Sequence, residues 1–75
     1  MKTLFDCKKA CKVKVKKLNA QPDLKQRFIS FGIMKDAELE VLQHTARKST
    51  VEIKVGSMQI ALRSNEAKLI EVEKI

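Results

Sequence analysis

The sequence predicts a mainly β domain: a small, partly open antiparallel barrel of about five strands, with one short helix inserted after the first. Three observations carry this reading. Apolar and polar residues alternate with period two in several short runs, which puts one strand face on a core and the other in water. Only residues 22–34 read clearly as a helix, with Leu24, Phe28 and Phe31 at i, i+4 and i+7. Gly56-Ser57 joins two alternating runs and is a two-residue hairpin signal of the II′ type. A helix of about eight residues is not stable alone in water, so its apolar face must be received by the sheet.

Along the chain, Leu4 and Phe5 anchor the start, and Thr3 or Asp6 is placed to cap a single helical turn. Cys11, Val13 and Val15 then alternate with Lys12, Lys14 and Lys16, and a bulge near Lys16-Lys17 brings Leu18 back into register. Pro22 suits a helix start. Asp23 and Gln26 have the spacing of a capping box, and Gly32 supplies the stop. Ala37 to His44 is a second strand, with Leu39 and Val41 inward. Thr50 to Val55 is a third, with Val51 and Ile53 inward. Met58, Ile60 and Leu62 alternate along a fourth, Ser64 to Ala67 closes a capped turn, and Leu69 to Val72 is a fifth, with Ile70 and Val72 inward. The helix face of Leu24, Phe28 and Phe31 then plugs one end of the barrel.

Seventy-five residues make one domain, expected to span 1–75. At 44% hydrophobic and 33% charged residues the chain is expected to fold. It has no apolar run of the length of a membrane span and no signal-peptide core, so the expected location is the cytoplasm. The net charge of +7 is uneven: the first 17 residues hold seven lysines against Asp6 alone, whereas the remainder holds nine basic residues against eight acids. Such a face suits an acidic partner, a nucleic acid or an anionic surface. It also serves to discourage edge-to-edge strand pairing.

Catalytic chemistry is not visible. The single histidine, His44, has no orienting partner in sequence and is expected at an exposed strand end. Cys7 and Cys11 match no zinc-pair or redox spacing and read as reduced, small hydrophobes. Gly32 and Gly56 are too far apart to build a phosphate loop. No cofactor, metal site or small-molecule substrate is implied, and one histidine with scattered glutamates does not make an Fe(II) site. The chain reads as a binding or regulatory module rather than an enzyme.

The order Leu24-x-x-Arg27-Phe28-x-x-Phe31-Gly32-Ile33, then Val51-x-Ile53-x-Val55, then Ile60-Ala61-Leu62-Arg63-x-x-Glu66-Ala67-x-x-Ile70-x-Val72, resembles the FeoA family over about Thr3 to Glu73. Two turns depart from that pattern. Lys35-Asp36 stands where the family carries Pro-Gly, and Ala10-Cys11 lacks the glycine usual before the first strand; both predict altered turn geometry on intact strands. The resemblance implies an SH3-like β-barrel and a cytosolic accessory protein of ferrous iron uptake. It further implies action on the cytoplasmic GTPase-bearing region of the membrane transporter FeoB. A similar domain occurs at the C-terminus of iron-dependent repressors.

Two functional classes follow. In the first, a protein-interaction module uses Leu24, Lys25 and Arg27 on the helix, with the Lys12, Lys14 and Lys16 face adding electrostatic steering. In the second, a small basic barrel binds nucleic acid or serves as a transcriptional-regulator-type interaction domain. Phe5, Phe28 and Phe31 do not fall on one strand face, so no base-stacking platform is visible, and this weighs against the second class.

Overall fold

Alternation along the strands determines the architecture. A computed structural model of the chain describes residues 2–7, 10–45, 47 and 49–75. Its elements are a 3-10 turn (Leu4–Asp6), β1 (Cys11–Leu18), α1 (Pro22–Ser30), β2 (Glu38–His44), β3 (Thr50–Val55), β4 (Met58–Arg63), α2 (Ser64–Ala67) and β5 (Ile70–Lys74). The strands form one antiparallel, unclosed sheet in the order β4-β3-β2-β1-β5. Each strand residue expected to face inward is buried except Ile60, which is half-buried and packs on the same core. The expected fold class therefore holds, with the fifth strand running two residues past Val72.

Two bulges set side-chain direction. In β1 the pairing steps from Val15↔Val72 to Lys17↔Glu71, which leaves Lys16 as the extra residue, at the expected place. In β2 it steps from Val41↔Ile53 to Gln43↔Glu52, where the alternation breaks at Leu42-Gln43. This shift alters which residues face inward: Gln43 is exposed, and His44 falls opposite buried Val51. His44 is accordingly part-buried, not at an exposed strand end.

α1 starts two residues earlier than the capping-box spacing indicates. Gln21 is the N-cap, Pro22 opens the first turn, and no side-chain cap bond forms. Proline's fixed φ and missing N–H suit that position, and Asp23 then serves through its charge near the positive helix end. The helix ends in a Schellman closure. Ile33 N–H donates to Phe28 O at 2.9 Å, and Gly32 N–H donates to Ile29 O at 2.9 Å. Gly32 takes φ +90 to allow this. The closure drives Ile33 into the core beside Phe28, both essentially without solvent contact. Leu24 and Phe31 are half-buried against the same cluster.

The start of the chain is tied to its last strand. Thr3 bridges Glu71, and Val72 N–H donates to Lys2 O at 2.8 Å. Asp6 Oδ2 accepts from Thr3 N–H at 3.1 Å, which holds the Asp6 carboxyl below its ordinary pKa, and Leu4 is fully buried. Beside the N-terminal turn, Glu66 accepts from Arg63 N–H at 3.0 Å and starts α2, whose Ala67 is fully buried.

The two turns that depart from the family pattern carry left-handed backbone at non-glycine residues: Ala10 at φ +62 and Asp36 at φ +70. Each is held by a backbone bond into the sheet, Ala10 N–H to Val41 O at 2.8 Å and Asp36 N–H to Val15 O at 2.8 Å. The conformation is one that glycine adopts freely, so the missing glycines appear as local strain at Ala10 and Asp36 on intact strands. Ala10→Gly is therefore expected to raise stability by about 0.5–1 kcal/mol. Gly32→Ala is expected to lower it by about 1–2 kcal/mol, because a Cβ there adds a 3.1 Å approach to Val55 Cγ1 to the positive φ. Gly56→Ala meets open space at φ +60 and is expected to lower it less. Urea midpoints at constant slope check the order.

Candidate functional site

The β1 bulge and the α1 closure come together on one side of the molecule. The bulge exposes Lys16 and Lys17 in succession and leaves Leu18 half-buried. On α1, Ile29 follows buried Phe28 and so points away from the core, 36% exposed. After the closure, Met34 emerges 42% exposed. These residues, with Lys25 and Lys35, line a groove of about 460 Å³. Its apolar lining is Leu18, Ile29 and Met34; its charged lining is four lysines and no carboxylate. The arrangement suits an apolar segment flanked by acidic groups.

The residues nominated from sequence divide across this geometry. Lys25 and Lys16 line the groove. Leu24 is half-buried and packs on the core. Arg27 is exposed on α1 but outside the groove lining. Lys12 and Lys14 lie elsewhere, on the outer sheet face, and each meets carboxylates across the ladder. Lys12 is opposite Glu40, and Lys14 is opposite Glu38 on one side and Glu73 on the other. The expected steering face is therefore charge-compensated at those two positions. Lys16 Nζ lies 3.5 Å from Glu73 with both side chains well exposed, a pairing worth little. Lys17 is opposite Glu71, whose carboxylate also accepts from Asn19 Nδ2.

Sequence reasoning missed Lys17, Leu18, Ile29, Met34 and Lys35 as groove residues. A signal was present for two of them. Ile29 falls off the Leu24–Phe28–Phe31 stripe, and Met34 follows the helix stop, so both are apolar residues without an assigned core place.

The cysteines and the histidine form a separate cluster. His44 Nε2 donates to Cys7 O at 2.6 Å; a carbonyl only accepts, so this nitrogen carries the proton. Nδ1 is buried without a partner, and the ring meets Phe5 edge-on with centroids 5.9 Å apart. The histidine thus pins the N-terminal turn to β2. Both cysteines are free; Cys7 is buried and Cys11 half-buried. Burial, then the neighbouring Cys11 thiol, pushes the Cys7 thiol up to about 11. Among the described residues no three His, Cys, Asp or Glu side chains gather as metal ligands, and no helix is long and apolar enough to cross a membrane.

Comparison with known proteins agrees with this geometry. The FeoA domain family model matches residues 2–74. A Campylobacter jejuni protein named for Fe(2+) transport, protein A, is 36% identical over 73 residues, which cover 97% of this chain and 99% of that protein. The solution structure of the FeoA protein from Chlorobium tepidum superposes with a TM-score of 0.93 at 26% identity, over 99% of this chain and 70% of that one. A manganese-dependent transcriptional repressor superposes with a TM-score of 0.89 at 25% identity, over 99% of this chain and 41% of that one.

The Cys7 thiol gives a pH signature. Above its ordinary value of 9.0 the unfolded chain releases the proton, while the fold retains it to about 11. The stability that favours the neutral thiol is complete below 9.0 and is lost as pH rises through about 11. Urea midpoints across that window are expected to fall in the parent protein, and the Cys7→Ala variant is expected to show a shallower fall.

Proposed function

The chain belongs to the FeoA family, and from that premise we propose that it is a non-enzymatic accessory protein of bacterial ferrous iron uptake. It works in the cytoplasm, where it binds and modulates the GTPase-bearing region of the membrane transporter FeoB. The observation that supports a binding role is the groove between α1 and the bulged end of β1, apolar at Leu18, Ile29 and Met34 and flanked by Lys16, Lys17, Lys25 and Lys35. A few desolvated apolar anchors with a cationic rim provide affinity and orientation for a protein partner without a reaction centre.

The nucleic-acid alternative fits less well. The outer lysines of β1 alternate with glutamates of β2 and β5, which breaks up the continuous positive track that phosphates require. Phe28 is buried, and Phe5 and Phe31 are half-buried against the core, so none is free to stack bases.

Titration of the purified protein with the cytoplasmic region of the transporter tests the proposal. Binding is expected, weakening with salt. Lys25→Glu combined with Lys35→Glu is expected to reduce affinity at least about tenfold, or ~1.4 kcal/mol. Met34→Gln is expected to weaken binding, Arg27→Glu to have a smaller effect, and Lys12→Glu to have little. Absence of association at high micromolar concentration overturns the proposed partner. Binding that ignores the groove substitutions overturns the site.

A further inference from the structure

The two edges of the sheet are finished differently. The β5 edge is covered by the chain's own Lys2–Thr3 segment, and β5 itself carries Glu71, Glu73 and Lys74. The β4 edge pairs, among the described residues, with β3 alone. Met58 to Leu62 contains no charge and no proline, and its pairing with β3 runs from Val55↔Met58 to Thr50↔Arg63 without a bulge. Gln59 and Ala61 are exposed, and Met58 is 48% exposed. Charge, proline and bulges are the protections that exposed edges ordinarily have, and of these β4 carries only the charge of its last residue, Arg63.

The register shows which backbone groups are free. The two-residue Gly56-Ser57 loop makes Val55 and Met58 a hydrogen-bonded pair. At the far end of the ladder Ser64 N–H donates to Ser49 O at 3.0 Å, in the same phase. Hydrogen-bonded and non-hydrogen-bonded pairs alternate in an antiparallel ladder. Ile60 and Leu62 therefore direct their N–H and C=O to β3. Gln59 and Ala61 direct theirs out of the sheet, as Arg63 does its C=O; the Arg63 N–H is taken by Glu66 Oε1 at 3.0 Å.

We propose that β4 is a homotypic docking edge: two copies of the chain pair antiparallel through β4 about a twofold axis at Ala61, giving one sheet that runs through both. The strand is self-complementary in this register. Ala61 pairs with Ala61 and Gln59 with Arg63, so the N–H and C=O of Ala61, the N–H of Gln59 and the C=O of Arg63 find partners across the axis, as an isologous contact requires, while the Arg63 N–H stays on Glu66. On the core side Ile60 comes opposite Leu62. No like charges are placed directly opposite each other, a condition of weight for a chain of net charge +7. The small Ala61 side chain also leaves a hollow of about 190 Å³ beside Glu52, lined further by Gln59 and Ile60. Arg63 of the second copy arrives at the rim of this hollow opposite Gln59, in line with Lys54 on β3 and diagonal to Glu52, whose carboxylate also accepts from Gln43 Nε2.

A single strand pair covers less than the roughly 1,000 Å² of a stable specific interface. The dimer is therefore a weak one that forms at high protein concentration and exchanges rapidly. It involves neither the lysine-rimmed groove nor the iron-uptake proposal, and its failure leaves both standing.

Sedimentation velocity over a micromolar-to-millimolar range, with Ala61→Pro beside the parent protein, tests it. The Ala61 N–H lies outside the β3–β4 ladder, so proline there is compatible with the fold; an unchanged urea midpoint verifies this. The parent is expected to move from monomer toward dimer, and Ala61→Pro to weaken association at least tenfold. A protein that stays monomeric throughout, or a dimer that Ala61→Pro leaves intact, overturns the proposal. So does a β4 edge that takes a strand of the transporter but not of a second copy.

Discussion

Burial of the Phe28 ring is the interaction on which both halves of the fold depend. α1 spans only Pro22 to Ser30 and cannot persist alone. The sheet is open and needs something over its core. Phe28 meets both needs from the last turn of the helix, and the closure at Gly32 carries Ile33 in behind it. Full burial of one such side chain contributes about 1.5–3 kcal/mol, a large part of the few kcal/mol that a domain of this size retains. The same closure puts Met34 on the outside. The feature that seals the core also supplies an apolar residue to the groove.

Charge is distributed by the pleat rather than by the sequence segment that carries it. Seven lysines near the chain start look like one basic face when read linearly. In the sheet β1 lies between β2 and β5, and the outward positions of both neighbours are glutamates. Lys12 and Lys14 are consequently interleaved with carboxylates. The groove joins Lys16 and Lys17, the end of that run, to Lys25 and Lys35 from segments with little net charge of their own. Net charge near a terminus was only a partial guide to where positive charge collects.

Most strands, the helix and the Gly56-Ser57 hairpin were legible because each has a single local cause: alternation, a helical period, or a turn residue with positive φ. The inward residues followed directly from that alternation. His44 was not legible, since its direction depends on a bulge after Val41 that no proline or glycine marks; only the apolar Leu42 at an outward position hints at it. The groove was legible only in fragments. Lys16 and Lys25 were nominated individually, but their meeting with Ile29 and Met34 depends on a bulge and a helix closure from distant parts of the chain. The two family glycines absent from this chain were recognisable in sequence as departures. Their physical meaning, left-handed backbone carried by Ala10 and Asp36, emerged only from the dihedral angles.

The placement of β1 has a consequence for how the domain is made. β1 is the first strand synthesised and lies between β2 and β5, the last strand of the domain. Its inner residues Val13 and Val15 therefore wait for Val72 before their surroundings are complete. Long-range pairing of this kind makes folding slow relative to local helix formation. A nascent chain shortened at β5 presents β1 with one side unpaired and the Leu4 turn with nothing to close on. Folding of this domain is thus tied to completion of its own translation, and the interval before β5 emerges is when its apolar strands are most open to chaperones and proteases.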